Sequence, residues 1–302
     1  MAADDTWTAD SPVRLARFIS DRAGVSFNQA KRWVASGKIV VDDEVVIAPQ
    51  TPVAPGQRVA LRMRAPKPRD PGKEVKVVYD DAHVAVIVKP SGMSSVPYER
   101  GERGTAMDAL RDAWKAQGKK SRSVPIHIVH RIDKGTSGLI MFAKTKKAEI
   151  GLARQLREHS VDREYLCVAH GAVRPGRIES RLVRDRGDGL RGSTRREGQG
   201  KRAVTHVEVV ESLRSATLCR VRLETGKTHQ IRIHLAEAGH ALVGETVYVR
   251  DHLERGRDVI DCPRLMLHAR TLGFEHPITG ERVSLTEEPP ADFAATVARL
   301  RS

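Results

Sequence analysis

Residues 130–145 read HRIDKGTSGLIMFAKT, and this stretch decides how the middle of the chain folds. Its second half, GLIMFAK, is an unbroken apolar run that predicts a buried β-strand. Its first half is a turn of small residues in which Asp133 stands between Arg131 and Lys134. We expect these cations to keep the carboxylate ionised, which suits a nucleophile or a general base better than a general acid. From chemistry alone, a structural Asp paired with Arg in a loop fits equally well.

A second dense segment, LETGKTHQIRIH, occupies residues 223–234. We expect Thr228 to cap a helix that runs to about Gly239, with Arg232 one turn into it. The N-terminal end of a helix favours anions, and a fixed guanidinium pairs bidentately with a carboxylate or a phosphate. An ordinary helix with surface charges is the alternative, and the wealth of Thr, His, Gln and Arg fits it less well.

Short β-branched runs separated by turn residues predict strands around these segments. The runs are KVVY, HVAVIVK, GLIMFAK, EYLCVAHG, THVEVVES and TLCRVRLE. Helices are expected over about 105–118, 147–158 and 228–239, and after Pro290. Strand clusters broken by a few helices, without regular alternation, indicate an α+β fold with a mixed, mostly antiparallel central sheet and flanking helices.

A smaller module precedes the strand-rich region. Ser26 followed by Gln29 has the pattern of a capping box, and Gly37 supplies a stop, so a helix is expected between them. The apolar face of that helix comprises Phe27, Ala30 and Val34. KIVVDDEVVIAP at 38–49 predicts two short strands around a tight turn at its paired aspartates, and RVALRM at 58–63 predicts a last strand.

Residues 65–73, APKPRDPGK, read as a semi-rigid linker because three prolines and a glycine stand between two patterned regions. We therefore expect a small α/β domain over 11–64, a linker over 65–74 and a large domain over 75–302. The length of 302 residues is typical of two domains.

The charge of the chain points to a polyanionic partner. Lys and Arg number 52 against 38 Asp and Glu, a net charge of +14, and nucleic acid is the commonest partner of such a protein. Residues 1–64 hold nine basic and seven acidic residues, so the remainder carries +12. Within it, residues 181–202 hold eight basic against three acidic residues, which indicates a flexible basic loop suited to phosphate contact. A merely solvated loop, in a generally Arg-rich chain, is the alternative.

Several classes of protein are disfavoured. No apolar run approaches the ~18 residues that a membrane span needs, and the acidic N-terminus lacks the layout of a signal peptide, so we expect a cytoplasmic protein. Three scattered cysteines argue against a disulfide framework. We expect no metal ion, because the histidines at 127, 130, 229 and 234 have no carboxylate at ligand spacing.

Several long motifs, taken in order, closely resemble the RluA family of pseudouridine synthases. They are VAVIVKPSGM, HRIDKGTSGLIMFAKT, REYLCVAHG, LETGKTHQIRIHLAEAGHALVGETVY and RLMLHARTLGFEHPITGE, and the resemblance spans about residues 75–290. Over roughly 11–63, the small module resembles the αL-type RNA-binding domain of a small-subunit ribosomal protein. The motifs that carry this second resemblance are RLARFIS, AKRWVASGKIVVDDEVV and PGQRVAL.

The first resemblance implies that the chain isomerises uridine in RNA: uracil leaves its glycosidic nitrogen, turns, and rejoins the ribose through carbon 5. Asp133 matches the family's essential aspartate, which acts as a nucleophile or as the base that abstracts a ribose proton. Tyr165 matches the tyrosine that packs on the target base, and Arg232 matches the arginine that forms a salt bridge with the aspartate. Arg131 matches the residue that enters the RNA where the target base has left.

The resemblance also sets the expected partners. Large-subunit ribosomal RNA is the expected substrate, with transfer RNA as the alternative. We expect no cofactor, because the isomerisation is redox-neutral, and we expect a monomer, as is usual in the family. The side chains expected to contact RNA are His130, Arg131, Arg14, Lys31, Arg32, Lys38, Lys201 and Arg202.

Three positions depart from the family pattern. Gly135 stands where an acidic residue is usual, Arg163 replaces a Lys, and Glu245 replaces a common Asp. None removes a residue expected to be essential. An RNA-binding protein without catalytic activity is one alternative, which the intact set of Asp133, Tyr165 and Arg232 disfavours. A glycoside or nucleoside hydrolase is another, and it would normally need a second carboxylate near Asp133, which the sequence does not suggest.

Overall fold

The computed structural model describes residues 5–63, 65, 74–97, 102–119 and 123–301. The chain divides into two compact units, 1–71 and 72–302. Most of the expected linker, 65–74, lies outside the described residues. No helix in the described part of the chain is long and apolar enough to cross a membrane.

The small unit packs two helices against short strands. Its elements are β1 (Thr6–Thr8), β2 (Val13–Arg14), α1 (Leu15–Ala23), α2 (Phe27–Ala35), β3 (Ile39–Val41), β4 (Glu44–Val45), β5 (Pro52–Val53) and β6 (Arg58–Leu61). Four strands form a sheet in the order β1-β6-β3-β4, and β2 pairs with β5. Side chains from both helices and from β3 and β6 fill its core, including Leu15, Ile19, Val34, Ile39 and Leu61.

The sequence predicts α2 and the hairpin of this unit correctly. The Ser26 hydroxyl accepts a hydrogen bond from the amide of Gln29, and Asp42 and Asp43 both adopt positive φ in the turn between β3 and β4. Phe27 is wrongly placed in the apolar face of α2. It is 40% exposed, and the ammonium of Lys31 lies over its ring.

The large unit is built around one long sheet. Its strands are β7 (Lys76–Asp80), β8 (Val84–Lys89), β9 (His127–Ile128), β10 (Ser137–Ala143), β11 (Asp162–His170), β12 (Gly176–Val183), β13 (Gly192–Thr194), β14 (Lys201–Leu213), β15 (Ala216–Leu223), β16 (Leu267–Glu275) and β17 (Arg282–Thr286). Its helices are α3 (Ala106–Ala116), α4 (Lys146–Arg157), α5 (Gln230–Glu237), α6 (Arg250–Glu254) and α7 (Ala291–Arg301).

The strand order is β13-β12-β14-β15-β11-β16-β10-β8-β7, with β17 beside β16 and β9 beside β10. Among the described strands, β10 and β16 pair in parallel, and the other neighbours are antiparallel. The prediction of an α+β fold with a mixed, mostly antiparallel sheet is therefore confirmed. The fully buried strand β10 lies near the middle of the sheet, as the run GLIMFAK predicts.

The parallel pairing of β10 with β16 depends on a glycine. Gly138 has a φ of 110°, and a Cβ atom there would lie 2.2 Å from the carbonyl oxygen of Ala269. Any other residue would push the two strands apart at this point. Because Asp133 precedes Gly138 by only five residues, this close approach also fixes where the loop that carries Asp133 ends; we call residues 130–136 the aspartate loop.

In the large unit, two predictions of local structure are wrong. Thr228 does not cap α5: the helix begins after His229, which adopts a left-handed conformation with φ 58°. Residues 181–202 do not form one flexible loop, because they include the end of β12, all of β13 and the start of β14. β12 and β13 are mostly polar and bury few side chains in the core. The sequence therefore shows no apolar face by which these strands could be recognised.

Candidate active site

The catalytic cleft, as we call it, is a cavity of about 620 Å³ lined by residues from the aspartate loop, β11, α4 and the segment before α5. Asp133 and Tyr165, from different parts of the chain, both line it, as do Arg131 and His130. Arg232 stands behind Asp133, with its Nη1 atom 3.6 Å from Oδ2 of the carboxylate. The fold thus brings together the three residues expected to be catalytic.

The aspartate loop is anchored on both sides of Asp133. The Ser95 hydroxyl donates to the carbonyl of Ile132 at 2.6 Å and accepts from the amide of the same residue. The Nζ atom of Lys89, a fully buried side chain, donates to the carbonyls of Pro90, Met93 and Lys134. Burial lowers the pKa of Lys89 to about 7. The three carbonyl acceptors have the opposite effect, because they match the three protons of a charged ammonium group. These contacts hold the carboxylate in place before any substrate binds.

Arg232 contacts two carboxylates, which it holds in different ways. Its Nε and Nη2 atoms each donate to Glu245 at 2.7 Å, the bidentate pairing expected of a fixed guanidinium. Its Nη1 atom approaches Asp133 without a hydrogen bond, at 3.6 Å. Sequence reasoning assigned Arg232 to Asp133 and missed the tighter bond to Glu245.

Glu245 is a fully satisfied structural carboxylate. Its side chain is 1% exposed, and its Oε1 atom also accepts hydrogen bonds from the amides of Thr246, Val247 and Tyr248. Burial alone would raise the pKa of Glu245, but the hydrogen bonds from Arg232 more than reverse this, so its pKa is lowered. The preceding Gly244, at φ 75°, allows this turn, since a Cβ atom would overlap the carbonyl oxygen of Arg264.

Asp133, in contrast, keeps its carboxylate available. In the described part of the chain its side-chain oxygens accept no hydrogen bond, and the basic side chains within 4 Å of them are Arg232 at 3.6 Å and the His229 ring at 3.9 Å. Arg131 and Lys134, the cations adjacent in sequence, are exposed and form no such contact with it. The expectation that these neighbours stabilise the carboxylate is therefore replaced by stabilisation through Arg232.

His229 connects the cleft to a further tyrosine. Its Nδ1 atom lies 2.7 Å from the hydroxyl of Tyr248, and its Nε2 atom faces Asp133. The Tyr248 ring lies 5.2 Å from the guanidinium carbon of Arg232. Burial lowers the pKa of His229, which favours the neutral ring at pH 7. The left-handed backbone of His229 is an uncommon conformation for a residue with a side chain and aims the imidazole at this position.

Tyr165 presents its ring to the cleft from the middle of the sheet. It is 8% exposed and packs within the main core beside Ile132, Ile231 and Leu267. Burial raises the pKa of its phenol, so the hydroxyl is protonated at pH 7. A neutral aromatic ring in an apolar wall is suited to packing against a planar base.

The residues expected to contact RNA near the cleft differ in environment. Arg131 is exposed at the cleft. His130 is partly buried, and its Nε2 atom accepts a hydrogen bond from the amide of Met141 in β10. Burial lowers the pKa of His130 to about 3, so the ring is neutral and has no charge to offer a phosphate.

Lys201 and Arg202 are neighbours with different partners. Lys201 lines a second cavity, of about 590 Å³, beside the cleft. The Nε atom of Arg202 donates to Glu179 at 2.7 Å, and its Nη2 atom lies 3.6 Å from Glu224. The charge of Arg202 is therefore balanced within the protein.

In the small unit, four of the residues expected to contact RNA have no acidic partner within the described residues. Arg14 donates to the carbonyl of Gln50, Arg32 donates to Gln29, Lys31 lies over Phe27, and Lys38 donates to the carbonyl of Ala65. These contacts orient the four side chains and leave their positive charges uncompensated. As for metals, no group of three or more His, Cys, Asp or Glu side chains arranged for an ion occurs among the described residues.

Comparison with known proteins gives a consistent result. A family described as RNA pseudouridylate synthase matches residues 83–237. The chain is 38% identical over 224 residues to ribosomal large subunit pseudouridine synthase D of Zymomonas mobilis, covering 72% of this chain and 70% of that protein. It is 36% identical over 294 residues to the uncharacterized RNA pseudouridine synthase YlyB of Bacillus subtilis, covering 95% and 94% of the two chains.

A solved structure shares the fold. Human RNA Pseudouridylate Synthase Domain Containing 4 superposes with a TM-score of 0.58 at 23% identity, covering 74% of this chain and 92% of that one. Fold and relatives together define an RNA-modifying isomerase. More narrowly, the chain belongs to the RNA pseudouridylate synthase family, and relatives similar to it include large-subunit enzymes named D.

Proposed function

We propose that this enzyme converts specific uridines of large-subunit ribosomal RNA to pseudouridine, with Asp133 as the catalytic carboxylate and without a cofactor. The observation that carries the proposal is that the Arg232 guanidinium forms hydrogen bonds with Glu245 but only approaches Asp133. Glu245 is saturated with hydrogen bonds, whereas Asp133 faces the cleft with its oxygens available. Only the second carboxylate is free to react with a bound ribose.

The reaction requires one reactive group and a fixed environment. The N1–C1′ bond of uridine breaks, a C5–C1′ bond forms, C5 loses a proton and N1 gains one. No electrons are exchanged with another molecule, so the chemistry needs no redox cofactor. Asp133 begins the sequence, either by bonding to the ribose or by taking a ribose proton. Arg232, held by Glu245, stabilises the anionic form of Asp133 without reorganising during the reaction.

The target base has to leave its stack before it can enter the cleft. Base flipping costs a few kcal/mol, and a side chain that fills the gap offsets part of this cost. Arg131 is exposed at the cleft, where a guanidinium can stack in place of the missing base. Tyr165 then forms the wall on which the flipped uracil rests and assists removal of the C5 proton.

The small unit provides a second RNA contact in this proposal. The uncompensated charges of Arg14, Lys31, Arg32 and Lys38 suit a phosphate backbone, in keeping with an αL-type RNA-binding domain. The names of relatives such as that of Zymomonas mobilis support large-subunit ribosomal RNA as the substrate. Transfer RNA is the alternative.

Tritium release from RNA labelled at uridine carbon 5 tests the proposal, because C5 loses its hydrogen in the isomerisation. Unmodified large-subunit ribosomal RNA and transfer RNA are assayed separately with the wild-type enzyme and with Asp133→Ala. We expect release from the ribosomal RNA by the wild type and none by the variant, which still binds RNA. Release from transfer RNA alone would overturn the substrate assignment, and undiminished release by Asp133→Ala would overturn the role of the aspartate.

A further inference from the structure

A second cavity adjoins the catalytic cleft and has a different chemical character. We call it the basic pocket: its volume is about 590 Å³, and Arg184, Arg191, Lys201 and Lys227 line it. The other lining residues are apolar or small, and no Asp or Glu occurs among the described residues of its wall. The cavity therefore presents positive charge without an internal counter-charge.

The four cations of the basic pocket lack the acidic partners that some neighbouring arginines have. Arg186 forms paired hydrogen bonds with Asp251, and Arg177 contacts Glu179 at 2.5 Å. In the part of the chain that the structure describes, none of the four pocket cations forms an ion pair with a carboxylate. Leaving several like charges together without partners is unfavourable for the free protein, and an anionic ligand removes this penalty.

The basic pocket is continuous with the site of catalysis. Residues 226–228 line both cavities, and Lys227 lies one residue from Thr228 and two from His229. Burial lowers the pKa of Lys227, and the charges of Lys201 and Arg163 lower it further. Lys227 is thus close enough to Lys201 and Arg163 for their charges to repel one another. This cluster lies at the rim of the cleft that would receive the uridine.

We propose that the basic pocket binds a backbone phosphate of the RNA strand adjacent to the flipped uridine. The inference rests on the proposed function, since it takes the occupant of the cleft to be a uridine of an RNA strand. A phosphodiester carries one negative charge and several acceptor oxygens, which match guanidinium and ammonium donors. Arg184, Arg191 and Lys227 are assigned to RNA contact by this geometry, whereas the balanced Arg202 is not part of the pocket.

The test removes two pocket charges together, in the variant Arg184→Ala/Lys201→Ala, because these two residues line the basic pocket and not the catalytic cleft. The matched control is Arg177→Ala/Arg222→Ala, which removes two positive charges that acidic residues already contact. Binding of unmodified large-subunit ribosomal RNA is measured at several KCl concentrations, with Asp133→Ala in each protein so that no turnover occurs. Tritium release by the same variants with Asp133 intact gives the rate at saturating RNA and the half-saturating RNA concentration.

We expect the pocket variant to bind RNA roughly tenfold more weakly, with a plot of log affinity against log salt shallower by about 0.7 to 0.9, the value for one lost phosphate contact. Its rate at saturating RNA stays within about twofold of the wild type. An unchanged salt slope in the pocket variant would overturn the proposal, as would an equal loss of affinity in the control variant, which would indicate a diffuse charge effect. If the wild type acts on transfer RNA instead, the proposed function fails, and the same comparison on that RNA still decides whether the pocket binds phosphate.

Discussion

The catalytic cleft and the basic pocket share residues 226–228, yet they differ in whether carboxylates accompany their cations. In the cleft, one guanidinium stands between two carboxylates, so the position of these charges is set before substrate arrives. In the basic pocket, the cations face one another without a carboxylate among the described wall residues. A catalytic site needs charges fixed in advance, whereas a phosphate site needs charge that only the ligand completes. Changes in the cleft should therefore alter the rate, and changes in the pocket should alter binding.

The largest effect is expected from Asp133→Asn. The amide keeps the size of the side chain but cannot act as a nucleophile or a base, so the rate at saturating RNA should fall roughly 10⁴-fold or more. Thermal unfolding and RNA affinity should stay close to those of the wild type, because the Asp133 side chain accepts no hydrogen bond from the described residues. Single-turnover tritium release measures the rate, and a rate reduced less than tenfold would contradict the assignment.

The next effect is expected from Glu245→Gln, a change behind Asp133. Arg232 loses its charged bidentate partner and is free to turn toward Asp133, which lowers the reactivity of that carboxylate. We expect the rate at saturating RNA to fall about 10²-fold with an unchanged half-saturating RNA concentration. Glu245→Asp retains a carboxylate and should restore most of the rate. If it restores nothing, the loss reflects packing rather than the position of Arg232.

The stability of the same variant should depend on pH in a defined direction. Because the pKa of Glu245 in the folded protein lies below its ordinary value of 4.5, the ion pair contributes fully above that pH and is lost as the pH falls through the folded-state value. At pH 7 we expect Glu245→Gln to lower the free energy of unfolding by about 3 kcal/mol, as when a buried pair is broken. Urea unfolding at pH 7 and at pH 4 compares the two proteins. The difference should shrink at the lower pH, and a constant difference would contradict the ion-pair explanation.

Salt should separate binding from catalysis in the wild-type enzyme. Raising KCl from about 50 to 200 mM weakens phosphate contacts by counterion competition, so we expect RNA affinity to fall at least tenfold. The contact of Arg232 with Glu245 is buried and poorly screened, so the rate at saturating RNA should change less than about twofold. Fluorescence anisotropy and single-turnover kinetics provide the two quantities. A flat affinity across this range would contradict binding through uncompensated cations.

The smallest effect is expected from Arg202→Ala. Its guanidinium is already held by Glu179, so its removal should weaken RNA binding less than about twofold. Lys201→Ala, one residue earlier, should weaken binding several-fold. Anisotropy measurements of both variants at one salt concentration test the contrast. Equal effects would show that the balance of charge within the protein does not distinguish these neighbours.

The fold was largely predictable because its main elements carry strong local patterns. The apolar run of β10 and the periodic helices α3 and α4 are decided by their own residues. Strands β12 and β13 were missed because they lie at the end of the sheet and alternate polar residues with few buried ones. β12 depends on its pairing with β14, and β13 depends on its pairing with β12; no local pattern reveals either pairing.

The sequence predicted which residues form the candidate site, but not which of them bond to one another. Motif resemblance placed Asp133, Tyr165 and Arg232 together, but the bond from Arg232 to Glu245 depends on a turn that brings residues 13 positions apart into contact. The difference between Lys201 and Arg202 likewise depends on the register of β12 and β14, which sets Arg181 opposite Arg202 and brings Glu179 within reach. The left-handed backbone of His229 also follows from tertiary packing.

One measurement tests the division between the two sites most directly: single-turnover tritium release across a titration of enzyme against a fixed amount of large-subunit ribosomal RNA. Each titration gives a maximal rate and a half-saturating enzyme concentration for the same protein. We expect Glu245→Gln to lower the maximal rate and leave half-saturation unchanged, and Arg184→Ala/Lys201→Ala to do the reverse. If both variants change the same quantity, the cleft and the basic pocket do not divide catalysis and binding between them.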